Sequence, residues 1–166
     1  MDVQLVAVDE LVLAALVGAA TRGAAPDEVT PPLGDGWTPE RSVWLRAYHR
    51  DRRAGLDGPC GEATWAVLVD GAPVGGARLR WTDEAGVADT GLWLTRSVRG
   101  AGVGRAALAV VLELAAQAGV RRVVAETTAG NRGALAVLGH LGFTLGTQVD
   151  GRVRAGVATG GPRPRH

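Results

Sequence analysis

Arg99-Gly100-Ala101-Gly102-Val103-Gly104 stands between an apolar run, Gly91 to Thr95, and a long helical pattern from Val103 to Ala118. With no Cβ at Gly100, Gly102 or Gly104, a ligand can come close to the backbone, and the first N–H groups of a helix have no intrahelical partners. Those orphan donors and the positive helix end favour a phosphate, and Arg99 and Arg105 can add charge-assisted hydrogen bonds. The stretch reads either as a pyrophosphate cradle or as a solvated glycine turn between two elements. Two commoner phosphate loops fail on spacing. A P-loop needs Lys and then Ser or Thr after its last glycine, where Arg105 and Ala106 stand. A dinucleotide fingerprint needs two residues between its second and third glycines, and Gly102 and Gly104 are separated by one.

Outward from the loop, a strand-like run precedes Arg99-x-x-Gly102-x-Gly104, and a second segment follows downstream: Asn131-Arg-Gly-Ala134-Leu-Ala-Val-Leu138-Gly-His-Leu-Gly142-Phe143. Together they resemble the GNAT superfamily of N-acetyltransferases, nearest to its ribosomal-protein-alanine acetyltransferase branch. The first segment is similar to the family's acetyl-coenzyme A signature, and the second to its later helix, which begins with Asn and closes in Gly-Phe. The resemblance covers about Thr64 to Leu145 well and the first sixty residues loosely.

At 166 residues the chain has the size of one domain with a real core, and 46% hydrophobic with 21% charged residues describes a soluble globular protein. All 18 basic residues are arginine, and 17 acids leave a net charge of +1, which argues against a nucleic-acid partner. Cys60 is the sole cysteine, so no intrachain disulfide and no Cys/His metal site is expected, and a reducing cytoplasm is the natural setting. Leu11 to Ala20 is apolar but too short to span a bilayer, so neither an export signal nor a membrane segment is expected.

Val3 to Ala7 suits a first strand, and Asp9 can cap a helix through about Ala20. Thr21 to Trp37 is rich in Pro and Gly and reads as a long loop. Thr38-Pro39-Glu40 starts a helix, with Val43, Leu45, Ala47 and Tyr48 as its apolar surface and Arg46, Arg50, Arg52 and Arg53 elsewhere. Those arginines read as a solvated face or as attraction for an anionic ligand. Thr64 to Val69 and Val74 to Trp81 form a hairpin through Asp70-Gly71, and Gly86 to Thr95 supplies the next strand. One helix then separates Thr95 from the apolar run Val120 to Thr127, which implies a parallel crossover. Asn131 to Leu141 is a short helix, and Phe143 to Val149 and Val153 to Val157 make a last hairpin through Asp150-Gly151. The expected architecture is a single mixed α/β (α+β) domain over 1–159, with a central mixed sheet of about seven strands flanked by about four helices. Residues 160–166 read as a disordered tail.

The resemblance implies acetyl-CoA as cosubstrate and no metal, with the coenzyme's pantetheine arm in a gap between splayed parallel strands, here Gly91 to Thr95 and Val123 to Thr127. It assigns the backbone amides of Leu94 and Thr95, and Asn131, to that arm; Asn131 alternatively caps its own helix. Acetyl transfer needs a neutral amine, a polarised thioester and a proton for the departing thiolate. Glu126 is the first candidate base and Asp89 the second, each with a structural alternative as an ion-paired or solvated strand-end acid. Trp93 shares a face with Asp89 by alternation, and Trp37 flanks the long loop, so both are candidates to touch the acceptor. Leu138 stands where many superfamily members carry a tyrosine acid, and His140, about 200° further round the helix, is expected to face away. The expected activity is N-acetylation of a primary amine, a peptide N-terminus or a small molecule, by a monomer or homodimer. The alternative is a non-catalytic coenzyme A-binding or protein-interaction module on the same fold.

Overall fold

Asp70 and Gly71 take φ of 49° and 84°, the left-handed pair that a two-residue hairpin turn requires. That turn joins β2 (Glu62–Val69) to β3 (Ala72–Trp81), and β1 (Val3–Val6) and β4 (Val87–Leu94) flank them in an antiparallel array. The computed structural model describes residues 1–160, so the tail expected at 160–166 lies, from residue 161 on, outside the described residues. After β4 come α4 (Val103–Gln117), β5 (Arg122–Thr128), α5 (Arg132–His140), β6 (Thr144–Leu145) and β7 (Arg152–Ala158). The sheet has seven strands in the order β1-β2-β3-β4-β5-β7-β6. Its one parallel pairing, β4 with β5, has the α4 crossover behind it, as the sequence implies.

The two faces carry separate cores. On one, Val103, Ala107, Val111 and Ala115 of α4 pack on Val67, Leu79, Ala88 and Val123 of the sheet, with Leu138 and Phe143 closing the end. The opposite face receives α1 (Glu10–Gly23) and α3 (Pro39–Asp51), through Leu13, Leu16, Val17, Ala20 and Leu45 against Ala66. Asp9 caps α1 by accepting from the Val12 amide at 2.8 Å, and Thr38 caps α3 by accepting from Arg41 at 3.3 Å. Glu10 then ties the two helices together, held by Arg50 at 2.8 Å and Arg53 at 3.1 Å.

Several boundaries differ from expectation. Thr21 to Trp37 is not one loop: α1 continues to Gly23, and a short helix α2 (Pro26–Val29) follows, making five α-helices among the described residues. On α3, Val43 and Ala47 face solvent, and the buried residues are Arg41, Leu45 and His49. The last hairpin has one broken arm: of the expected Phe143 to Val149, Thr144–Leu145 forms a strand on β7 and Val149 bridges Arg152 beside the turn. Asp150 and Gly151 do form its turn, with φ of 50° and 75°.

Buried Arg41 explains how a Pro- and Gly-rich segment is held. Its guanidinium donates to Thr30 Oγ1 at 3.1 Å, Asp27 Oδ1 at 2.8 Å and the Gly34 carbonyl at 2.6 Å, linking α3 to three points of residues 27–34. Replacing Arg41 with Ala strands those acceptors and leaves a void. The expected outcome is a loss of about 2 to 4 kcal/mol in urea unfolding, with faster hydrogen exchange concentrated in residues 26–37.

Candidate active site

Three register pairs, Val87–Arg122, Ala88–Val123 and Asp89–Val124, are all that join β4 to β5. Beyond them the strands part. The Thr95 amide donates to the Val74 carbonyl at 2.8 Å, which makes Gly75 and Leu94 a non-hydrogen-bonded pair. Leu94, and Leu92 two residues before it, therefore turn N–H and C=O away from β3 and into the gap. From β5, the Arg122 amide faces β4 (3.1 Å to the Gly86 carbonyl), so alternation turns the backbone of Glu126 to the same opening. The expected splay is present, with a correction: Thr95 has its amide inside the sheet, and Leu92 takes its place beside Leu94 at the gap.

At the mouth of this gap the chain passes a 3-10 turn (Arg96–Val98) and enters α4 through Gly100 and Gly102, whose φ values are 77° and 84°. Space beside both glycines is open. A Cβ on Gly104 would point at Leu94, Leu92 and Val137 at 3.6, 3.7 and 4.0 Å, so that glycine borders the gap between β4 and α5. Ala101 and Arg105 are exposed, and buried Val103 anchors the first helical turn. The Arg99 side chain departs from the expected cradle: its guanidinium folds back, donating to the Leu94 carbonyl at 3.2 and 2.9 Å and pairing with Glu28 of α2. Asn131 accepts from the Ala134 amide at 3.1 Å and so caps α5.

On the sheet face opposite α4, a cavity of about 440 Å³ opens over β3 and β4, lined by Trp44, Tyr48, Arg52, Glu62, Arg78 and Trp93 among others. Two glycines shape its floor. A Cβ on Gly76 would lie 2.5 Å from Trp93 Nε1, and one on Gly91 would lie 2.7 Å from Arg78 Nε, so each large side chain rests on the other strand's bare backbone. Trp93 thus lines the cavity as expected. Trp37 does not: it is packed in the α1–α3 core, its indole N–H donating to the Ala24 carbonyl at 3.0 Å.

Both candidate bases emerge on the cavity's side of the sheet, because Ala88 and Val123, their neighbours in the strands, face α4. Asp89 has both oxygens engaged, with Arg78 at 3.4 Å and Arg80 at 3.1 Å. Glu126 accepts from Arg152 at 2.6 Å through Oε1, and its Oε2 takes no hydrogen bond among the described residues. Leu138 is core, and His140 is exposed as expected. No group of three or more metal-ligating side chains occurs among the described residues.

Sequence reading missed a polar cluster at the cavity's inner wall. Tyr48 donates to Glu62, Arg52 lies 3.1 Å from the other Glu62 oxygen, and the Arg52 guanidinium stacks 4.1 Å over the Tyr48 ring. Burial, and then donation to Glu62, push the Tyr48 phenol well above its ordinary value. His49 Nδ1 lies 2.9 Å from Thr64 Oγ1, and burial, reinforced by the Arg52 charge, lowers its pKa to about 4. Tyr48 and Glu62 are fourteen residues apart on a helix and a strand, a separation that leaves no local pattern to read.

Residues 31–143 match the model of the acetyltransferase (GNAT) family, more than half of the chain, and the protein belongs to that family. No curated protein matches by sequence. Among solved structures the chain is similar to Mycobacterium smegmatis RimJ in complex with CoA-disulfide, at TM-score 0.75 and 24% identity, covering 94% of this chain and 81% of that one. It is also similar to the Escherichia coli ribosomal-protein-S18-alanine N-acetyltransferase, at TM-score 0.64 and 15% identity over 99% of each chain. A third is the Thermoplasma acidophilum PaiA N-acetyltransferase with coenzyme A, at TM-score 0.66 and 12% identity over 95% of this chain and 99% of that one.

The buried histidine gives the site a pH signature. Its folded pKa of about 4 lies below the ordinary 6.5, so the unfolded chain binds the extra proton first. Its stabilising contribution is complete above pH 6.5 and falls away as pH drops toward 4. Thermal melts across that window should show Tm falling on acidification, with a shallower slope in His49→Asn.

Proposed function

We propose that this protein transfers the acetyl group of acetyl-CoA to a primary amine, a peptide N-terminus or a small molecule, in the manner of the ribosomal-protein-alanine branch. The observation that carries the reading is the interrupted ladder. Backbone groups of Leu92 and Leu94 that no neighbouring strand pairs lie beside a helix N-terminus entered through glycines, which suits an extended amide-bearing arm ending in phosphates. The residues present fit such a cosubstrate: the amides of the 100–104 turn would hold its phosphates, and the gap would receive its amide groups. Bound there, acetyl-CoA supplies the activated acyl carbon.

Glu126 is the preferred base because it pairs with one arginine, Arg152, whereas Asp89 is held between two, Arg78 and Arg80. The amine nitrogen attacks the thioester carbonyl, an N–C bond forms, the C–S bond breaks, and Glu126 removes the amine proton directly or through water. The thiolate leaves and takes its proton from water, since Leu138 has none to give. Buried Leu138 and two ion-paired carboxylates favour one second reading, a coenzyme A-binding module without turnover. Thiol release from acetyl-CoA, with and without a panel of amines, separates the two: acceleration by an amine supports the enzyme, and binding without acceleration supports the module.

Two substitutions refine the test. Glu126→Gln should lower turnover on the order of a hundredfold with acetyl-CoA affinity nearly constant, and raising pH should restore part of the rate because free amine becomes abundant. Full activity in that variant with loss in Asp89→Asn transfers the base role to Asp89. Gly104→Val, which places a branched side chain against Leu92 and Leu94, should weaken acetyl-CoA binding at least about tenfold by calorimetry, whereas Gly104→Ala stays close to the parent.

A further inference from the structure

Four buried side-chain nitrogens among the described residues lack a hydrogen-bond partner: Arg41 Nε, His49 Nε2, Arg52 Nε and Arg78 Nη1. Three of them, all but that of Arg41, belong to residues lining the cavity over β3 and β4. Arg52 is already neutralised by Glu62, 3.1 Å away. Arg78 is the least satisfied, since its nearest carboxylate, Asp89, is 3.4 Å away and shared with Arg80, which approaches to 3.1 Å. The Arg78 side chain is 34% exposed, but its Nη1 is buried; an N–H there without an acceptor is costly, and a carboxylate matches the forked geometry of the guanidinium.

The position of Arg78 is built. It lies across β4 only because Gly91 has no side chain, and the Trp93 indole lies beside it across Gly76. Trp44 and Tyr48, stacked with centroids 4.9 Å apart, form an aromatic wall of the same cavity. Gly91, Leu92 and Trp93 line the cavity, and the backbone of Leu92 faces the β4–β5 gap, so an acyl group reaching through the gap meets whatever the cavity holds.

We infer that the acceptor is a primary amine carrying a carboxylate, and that Arg78 binds this carboxylate and makes it a condition of efficient acetylation. The inference rests on the acetyl-transfer reading above and narrows its acceptor. The carboxylate can come from an acidic side chain at a peptide N-terminus or from the α-carboxylate of a free amino acid. Asp89 and Arg80 complete the local charge set, and the carboxylate competes with Asp89 for the guanidinium.

The test uses matched acceptors that differ only in this charge. Peptides beginning with Asp or Glu are compared with those beginning with Asn or Gln, and free amino acids with their α-amides, reading kcat/KM for thiol release. The expected ratio of acid to amide is roughly tenfold to a hundredfold in one of the two series, carried mainly in KM, and the series that shows it identifies the source of the carboxylate. In Arg78→Gln that ratio collapses toward one. Gly91→Ala is the second variant: it keeps the charge but its methyl displaces the guanidinium, and the ratio falls there too. Turnover with a ratio near one in the parent, or a ratio unchanged in both variants, overturns the inference while leaving acetyl transfer intact. Should no amine accelerate thiol release, calorimetry with N-acetylglutamate and its α,γ-diamide, which carries no carboxylate, decides independently. Binding of the acid alone, lost in Arg78→Gln, keeps the carboxylate site and removes the transfer reading, whereas equal or absent binding removes the site.

Discussion

A parallel pairing that stops after three residues governs this molecule. Everything on one side of it, β1 to β4, is antiparallel, and so is everything on the other, β5 with β7 and β6. Two half-sheets are therefore joined at a short seam and diverge above it. The α4 crossover holds the seam from behind, with Val103, Ala107 and Val111 packed across strands of both halves. Because α4 starts where β4 ends, its N-terminus is delivered to the mouth of the opening by chain connectivity alone.

The opposite face is organised by arginine. A planar fork with five donors can bind several acceptors at once, which a lysine cannot. Arg41 does so inside the protein, fastening the segment that carries α2, and Arg99 links Glu28 of that same segment to the Leu94 carbonyl at the gap. The gap side and the cavity side are thus connected through α2 by two side chains. Arg50 and Arg53 anchor the far end of α3 on Glu10, where both hydrogen bonds and charge hold the carboxyl down to about 2.

Much of this was legible in the sequence because it is local. Asp70-Gly71 and Asp150-Gly151 name their turns by backbone geometry, Asp9 and Thr38 name their helices by capping, and the 99–104 turn with its following helix names the family. What escaped depends on partners far apart along the chain. Arg41 is buried by acceptors at 27, 30 and 34 that local spacing does not mark. Trp37 reads as a candidate to touch the acceptor from its position next to a loop, but that stretch folds onto α1 and packs the half-buried indole against the α1–α3 core. Arg99 bridges the Leu94 carbonyl and Glu28, seventy-one residues away in sequence, a link that no local pattern marks. The β6 arm is broken because the chain leaves the ladder between Gly146, whose amide still reaches the Arg154 carbonyl at 2.8 Å, and Val149, which bridges Arg152, a local irregularity that strand propensity does not encode.

A sheet that parts in its middle has inner edges as well as outer ones. The unpaired backbone of Leu92 and Leu94 is chemically the same row of donors and acceptors that an outer strand presents, and such rows recruit stray strands from other chains. Here Arg99 covers one of its carbonyls, and the charged pair Glu126 and Arg152 stands on its β5 side. An opening inside a sheet thus carries the same hazard as an outer edge, and the charges that stand beside it oppose the addition of a stray strand.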